Sequence, residues 1–322
     1  MKCILCDETG SFLDKYKFNV ESDVEFFGNL NINYCTKCDL GYASPMPNHK
    51  KLDYFYKNIY RANGRPNEIK HNSNSDIYYF RNLSYLNYLS TFINLDNIKS
   101  VFDFGSGVGD LGFLIKSKFQ DISLSSIELD QSCINILKKR NYKIYDDFKN
   151  ISYKFDLIIS SLSLQQLSNL NIFHEFKKIS HENTFIFIDV PNNDFGEQFL
   201  HRPYDSPRLI FFTKKSLEKI SNFFNLEIIN LSYASYSIEN AYKYSKESKN
   251  NFSNWKRNNF SLKQKIKGLI NKFLPKLLTR FIIYINEQRN IDQNIDNFIL
   301  QKKNSWTLRG LFKFNIIKQK SD

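Results

Sequence analysis

Net charge is missing from most of this chain. Residues 1–236 carry 27 Lys+Arg against 27 Asp+Glu, and the whole excess of +12 lies in residues 237–322, with 18 against 6. A surface that tracks a nucleic-acid backbone should reach the working site, so a neutral body argues against nucleic acid as the partner. Also missing is the charged-then-apolar layout of a signal peptide, since the chain opens MKCILCDETG. No uncharged run approaches the length that crosses a bilayer. These absences predict a cytoplasmic protein. Apolar residues are not missing. Hydrophobic content of 42% and aromatic content of 16% exclude a disordered chain, and 322 residues allow one sizeable core with a further module or two.

Cysteine is sparse but patterned. Four of the five form two C-x-x-C pairs, 3-CILC-6 and 35-CTKC-38, with 28 residues between them. Each pair places two thiolates on one tight turn, and two such turns complete a tetrahedral four-sulfur site suited to Zn²⁺. Cys3, Cys6, Cys35 and Cys38 are therefore the predicted metal ligands. The competing reading is a redox C-x-x-C, but two pairs close to the start of a core-poor segment favour metal. Such a site is structural, because protein fills all four positions. The segment YKFNV reads as a small strand of a zinc ribbon. Cys133, alone in the helical-looking QSCINILKKR, reads as a buried small apolar residue.

The stretch 101-VFDFGSGVGDLGFLIK-116 admits two frames. Gly107, Gly109 and Gly112 spell G-x-G-x-x-G, the dinucleotide fingerprint. Asp103, Gly105, Gly107 and Gly109 spell D-x-G-x-G-x-G. Residues 100–104 are strand-like, and Leu111, Leu114 and Ile115 have helical spacing. The strand closes at Gly105, so the third glycine of a dinucleotide turn falls on Asp110, whose carboxylate would face a pyrophosphate. The second frame avoids that repulsion. S-adenosylmethionine has no phosphate, and its ammonium and sulfonium suit an acid such as Asp103. Further on, 123-SLSSIELD-130 reads as a strand ending in Glu128, an acceptor for two ribose hydroxyls. The run 143-KIYDDF-148 supplies Asp146 or Asp147 for an adenine amino group, with Phe148 against the ring.

With these pieces in order, the chain resembles class I S-adenosylmethionine-dependent methyltransferases that begin with a four-cysteine zinc motif, many of which act in bacterial surface-glycan and deoxysugar pathways. The resemblance is carried by the C-x-x-C pairs, YCTKCDLGYASPMP, VFDFGSGVGD, SIELDQS, YKFDLIISSLSLQQL, FIFIDVPN and RLIFFTKKSLEKI, and it covers residues 1 to about 235. It implies an α/β fold with a Rossmann-like, doubly wound, seven-stranded and mostly parallel sheet. It implies cofactor contacts at Asp103, Gly105, Gly107, Glu128 and Asp147, with Gly109 closing the same motif. A sugar, sugar nucleotide or glycan precursor is the implied acceptor. The expected organisation is a zinc ribbon over 1–45, a helical connector or lid over 46–98 and a donor-binding domain over 99–236, followed, on its charge and apolar spacing, by a basic helical extension over 237–322.

The chain departs from this pattern where a base would stand. Relatives often carry His-x-x-Glu-His after the fourth strand, and here 160-SSLSLQQL-167 offers Gln165 and Gln166. A histidine commonly precedes the F-F-T/S stretch, and here Arg208 occupies that place. Glutamine orients but takes no proton near neutrality. The long loop 191-PNNDFGEQFLHRPYDSPR-208 supplies the substitutes, His201 and Tyr204 as catalytic candidates with Glu197 beside them. Gln166, Asn192 and Arg208 are the substrate-binding candidates, Arg208 for a phosphate or carboxylate. His174 and His181 read as surface residues. Of two aromatic segments, 77–93 reads as core and 53–65 as a lid that brings Tyr54 and Tyr60 over the cofactor.

Leu262, Ile266, Leu269, Ile270 and Phe273 begin an amphipathic pattern that runs to Ile285, with lysines between. Three readings stay open: docking on the body, peripheral contact with an anionic inner membrane face through residues 262–286, or nucleic acid. The alternatives to a glycan methyltransferase are a ribosomal-RNA base methyltransferase with a zinc module, or a degenerate fold that binds cofactor without turnover.

Overall fold

The computed structural model describes residues 2–18, 20–61, 77–119, 121–194, 207–234 and 307–316. Its first element is an antiparallel sheet of β1 (Ser11–Lys15), β2 (Asn31–Cys35) and β3 (Leu40–Ser44), with α1 (Glu21–Phe27) between β1 and β2. YKFNV, predicted as a strand, lies beyond β1. Its Tyr16 and Phe18 instead pack with Phe27 and Phe55 in a small core of their own. Two helices follow, α2 (His49–Asn58) and α3 (Ile77–Phe92).

The central sheet begins with β4 (Ser100–Phe104), then α4 (Asp110–Lys118), β5 (Ser123–Ile127), α5 (Gln131–Lys139) and β6 (Tyr142–Tyr145). The chain returns to the other side of β4 as β7 (Phe155–Ser161), α6 (Ile172–Lys178) and β8 (Ser180–Pro191). Next come β9 (Ile210–Phe211), α7 (Lys214–Phe223), β10 (Leu226–Ala234) and β11 (Thr307–Phe314). Strand order across the seven-stranded sheet is β10-β11-β8-β7-β4-β5-β6. The pairs from β6 through β8 are parallel, and β11 is antiparallel to both its neighbours. This is the doubly wound α/β architecture expected from the sequence. The order reverses between β4 and β7, and such a switch point opens a crevice beyond the carboxyl ends of the strands.

Alternation along each strand splits the core in two. Val101, Leu157, Ile159 and Phe187 pack with α3, α4 and α5 on one face. Phe102, Ile158, Ile186 and Ile188 pack with α6 and α7 on the other. Cys3, Cys35 and Cys38 belong to that second cluster, so the cysteine module is seated on the sheet rather than tethered to it. The connection goes further. Two residues of the body, Ile210 and Phe211, form the fourth strand of the small sheet by pairing with Tyr42 and Gly41. A boundary at residue 45 thus cuts through a shared sheet.

A second departure concerns residues 237–322. Their end, β11, is an inner strand of the central sheet and pairs with both β10 and β8. The stretch between Ala234 and Thr307 is an insertion in a hairpin, because those two residues are register partners. Thr307 also pairs with Pro191, so the insertion leaves and rejoins at the carboxyl rim of the parallel strands. The amphipathic segment 262–286 lies outside the described residues. Among the described residues, no helix is long and apolar enough to cross a membrane.

Candidate functional site

A cleft of about 770 Å³ opens at the switch point. Its floor is the turn after β4. Gly105 has φ +63°, and a Cβ there would stand 2.9 Å from the Ser163 Cβ, so a side chain would be both strained and crowded. Gly107 lines the cleft as well. Gly109 does not. It precedes α4 at φ +73°, where a Cβ would come within 2.5 Å of Leu137 Cδ2. Its glycine is required by close packing against α5 and β6.

Glu128 follows β5 and reaches back across the turn. Its Oε2 accepts the Gly107 N–H at 2.7 Å, and its Oε1 accepts the N–H groups of Leu129 (2.8 Å) and Asp130 (2.9 Å). Three of the roughly four lone-pair positions of a carboxylate are thereby taken. A ribose diol would use the remaining one, or exchange with Gly107. Burial pushes the Glu128 carboxyl up, against those N–H groups and the nearby Arg61 guanidinium. Arg61 also stands 3.9 Å from Asp130.

Asp103, near the end of β4, is buried and lines the same cleft. Burial, followed by the charges of Glu128 and Asp110, pushes its pKa from 3.8 to about 8. An acid so placed is stabilised as an anion by an incoming cation. Asp110 itself is paired with Arg140 at 2.5 Å, and Arg140 also binds the Val108 carbonyl at 2.6 Å. On the far side, exposed Asp147 accepts the Lys149 N–H at 3.0 Å, and both Asp147 and Phe148 line the cleft.

The wall across from β5 is built after β7. Leu162 has φ +55°, a left-handed conformation that a branched side chain seldom adopts, and its N–H donates to the Asp189 carbonyl at 2.7 Å. Ser163 donates to the Phe104 carbonyl at 3.0 Å. Gln165, Gln166 and Arg208 line this side. The cysteine module holds Arg208 in place, because the Arg208 N–H donates to the Tyr16 hydroxyl at 2.6 Å. Asn192 is buried, its Oδ1 accepting the Asp194 N–H at 3.0 Å. His201, Tyr204 and Glu197 lie outside the described residues. His174 is exposed, and His181 is half-buried at the opposite end of the sheet, 3.0 Å from Asp156.

Two helices ahead of β4 close the cleft and were only partly foreseen. Tyr56 and Tyr60 line it, whereas Tyr54 is exposed and stacks on Phe26, so only one of the two expected lid tyrosines faces the cleft. Arg61, Arg81 and Asn82 also line it, and no pattern in the sequence singles them out.

The four predicted cysteines converge. Their sulfurs all lie within 4.8 Å of one another. Cys6 Sγ and Cys35 Sγ are 3.7 Å apart, and sulfurs held tetrahedrally at about 2.3 Å from zinc stand roughly 3.8 Å apart. Burial, only partly relieved by the N–H groups of Leu5 and Cys6, and then the neighbouring Cys35 sulfur push the Cys3 thiol to about 11. Burial, then the Cys6 hydrogen bond, raises Cys38 as well. Thiols this close ionise together only around a cation. The donor set fits Zn²⁺.

No family model matches the chain, and a search of curated proteins finds no match. Among solved structures, it is similar to the plantazolicin methyltransferase BamL in complex with a triazolic desmethylPZN analog and SAH. That likeness has 16% identity over 84% of this chain and 92% of the other, with a TM-score of 0.44. The plantazolicin methyltransferase BpumL, with a similar analog and SAH, gives 16%, 83%, 98% and 0.45. An O-methyltransferase from a trans-AT PKS multienzyme of Brevibacillus brevis, with S-adenosyl-L-homocysteine, gives 16%, 76%, 81% and 0.43. Likeness at this level carries no inference about activity.

Proposed function

We propose that this chain is an S-adenosylmethionine-dependent methyltransferase with a structural zinc site. The observation that carries the reading is Asp103, a buried acid at the carboxyl end of β4 with a second acid, Glu128, across the glycine turn. Such a pocket favours a cationic nucleoside over an anionic dinucleotide. When bound, the donor supplies a methyl group already activated by its sulfonium.

The chain's own residues hold and orient. Asp103 binds the methionyl ammonium, the turn at Gly105–Gly107 allows close backbone approach, and Glu128 accepts from ribose. Asp147 and Phe148 receive the adenine. Holding the acceptor in line with the methyl supplies much of the acceleration, and that work falls to Gln166 and Arg208. The guanidinium of Arg208 suits a phosphate or carboxylate on the acceptor, which supports a sugar nucleotide or glycan precursor among small molecules. His201 and Tyr204 are the proposed proton acceptors should the acceptor be a hydroxyl. Cys3, Cys6, Cys35 and Cys38 hold zinc, which acts by fixing the module that carries Tyr16 and β3. Residues 262–286 are proposed as a peripheral membrane contact.

Calorimetry tests the reading. S-adenosylmethionine or S-adenosylhomocysteine should bind and NAD should not, and Asp103→Asn should weaken the methyl donor at least tenfold. Tight NAD binding with no donor binding would remove the assignment.

A further inference from the structure

We infer that the acceptor atom is a hydroxyl oxygen and that His49, oriented by Asp53, takes its proton as the methyl is transferred, an inference that rests on the methyl-transfer reading above. His49 Nδ1 lies 3.1 Å from Asp53 Oδ2, one turn further along α2, and both side chains line the cleft. A neutral imidazole that donates its Nδ1–H to a carboxylate keeps a lone pair on Nε2. That nitrogen has no hydrogen-bond partner among the described residues. The His49 side chain is 76% exposed, so a bound molecule can reach it.

The position suits that role. His49, Asp53, Tyr56 and Tyr60 recur at helical spacing and all line the cleft, whereas Tyr54 is exposed and stacks on Phe26. One end of this segment is tied to the donor side. There Arg61 meets Asp130, two residues after the ribose acceptor Glu128. The other end is tied to the acceptor side. Ahead of α2, the Ala43 N–H donates to the Leu209 carbonyl at 2.8 Å, next to Arg208, and Leu52 packs in the same small core as Leu209. His49 therefore stands toward the proposed anchor of the acceptor. It is the one imidazole among the described residues that line the cleft. Glu175 lines it too, but pairs with Lys178 at 2.8 Å on the helix whose Phe176 packs against Phe148, the proposed adenine side. Lys57 and Arg208 also line the cleft, and their charge disfavours an acceptor that carries an ammonium.

A hydroxyl must lose its proton as its oxygen bonds to carbon. An oxygen lone pair forms the bond to the methyl carbon while the carbon–sulfur bond breaks and leaves its electron pair on sulfur. The O–H pair stays on oxygen, and the proton passes to His49 Nε2. The imidazolium so formed keeps its Nδ1–H on Asp53, whose charge offsets its own, and then sheds a proton to water. Asp53 acts through His49 and is a positioning residue. Only one group takes the proton in each transfer, so variants separate His49 from His201 and Tyr204, the loop residues named above for the same step.

The test uses the full chain with isotope-labelled S-adenosylmethionine and the small-molecule fraction of cells as probe. Products are hydrolysed in acid and separated on a cation exchanger, with donor breakdown products as markers. The expected result is label in a neutral methyl ether. His49→Ala should cut that label about a hundredfold or more, and added imidazole should restore part of it. Asp53→Asn should cost less, and Asp53→Glu should keep more of the label than Asp53→Asn. Affinity for S-adenosylhomocysteine should match wild type in all three variants, which also reports folding. Label in a retained N-methylamine, undiminished transfer by His49→Ala, or a loss in that variant that imidazole leaves untouched would each overturn the proposal. A loss in His201→Ala that imidazole restores, with His49→Ala undiminished, would return the step to the loop. No label in any fraction from the wild type, with S-adenosylhomocysteine still bound, would instead remove the methyl-transfer reading and the hydroxyl assignment with it.

Discussion

Arg309 Nε meets Asp189 Oδ1 at 3.0 Å, and both side chains are buried between β11, β8 and α3. Arg309 also donates to Ser84 Oγ at 2.9 Å and lies over the Tyr85 ring, whose hydroxyl donates to Asp189 Oδ2 at 2.8 Å. This cluster ties the last described strand to the strand that ends at the cleft and to the helix that bears Arg81.

Removing one partner of a buried pair leaves the other charge stranded, at a cost of about 3–5 kcal/mol. Arg309→Ala is expected to lower stability by that amount in urea titration. The double change Arg309→Met with Asp189→Leu should recover most of the loss, because a well-packed apolar replacement of a buried pair is often neutral. Equal loss in single and double variants would mean that packing, not charge, sets the cost.

The sequence reading reached residue accuracy where structure is local. Ser100–Phe104 and the helix from Asp110 were legible because a strand, a glycine turn and an apolar helical period follow one another within twenty residues. Long-range pairing was not legible. TLRGLFKF was not read as a strand, since Arg309 argues against a central position until Asp189, 120 residues away, is known to face it. Ile210–Phe211 was likewise too short to be seen as the closing strand of the cysteine module. Asp110 would repel a pyrophosphate less than its charge suggests, because Arg140 neutralises that carboxylate. Asp103 now carries the distinction. Of the two adjacent glutamines, Gln166 was the expected substrate contact, and both line the cleft, Gln165 the more deeply buried.

The raised pKa of Asp103 makes donor binding pH-dependent. Below about 8 the free protein holds this carboxyl protonated, so a cationic ligand must expel a proton. Affinity for S-adenosylmethionine is expected to rise from pH 6 to about 8 and then level, and calorimetry in buffers of differing ionisation enthalpy should detect proton release at pH 6.5. The sign for folding is opposite. Because the folded value lies above the unfolded one of 3.8, the Asp103 contribution to stability of the free protein is fully present below 3.8 and is lost as pH rises through about 8. Asp103→Asn should flatten both profiles, and an unchanged slope would assign the effect to another group.

Zinc is expected at one ion per chain by elemental mass spectrometry. A bound ion in thousandfold excess over its Kd adds about 4 kcal/mol of stability, so chelation should lower the melting temperature by several degrees. The buried, raised thiol of Cys3 must ionise to bind metal, so zinc uptake should release protons and weaken as pH falls. A melt indifferent to chelator, with no metal found, would return the four cysteines to a redox role.

Tyr16 links the cysteine module to the acceptor side of the cleft, its hydroxyl accepting the Arg208 backbone N–H at 2.6 Å. Tyr16→Phe keeps the ring that packs against Phe18 and Phe211 but strands that N–H. The cost to stability is expected to be about 1–2 kcal/mol. If Arg208 anchors the acceptor, the change should raise KM for the acceptor several-fold while kcat and affinity for S-adenosylhomocysteine stay near wild type. Arg208→Lys should act in the same direction and more strongly, since a point charge replaces a bidentate fork. A fall in kcat with KM unchanged would move Arg208 from anchoring the acceptor to the transfer step itself.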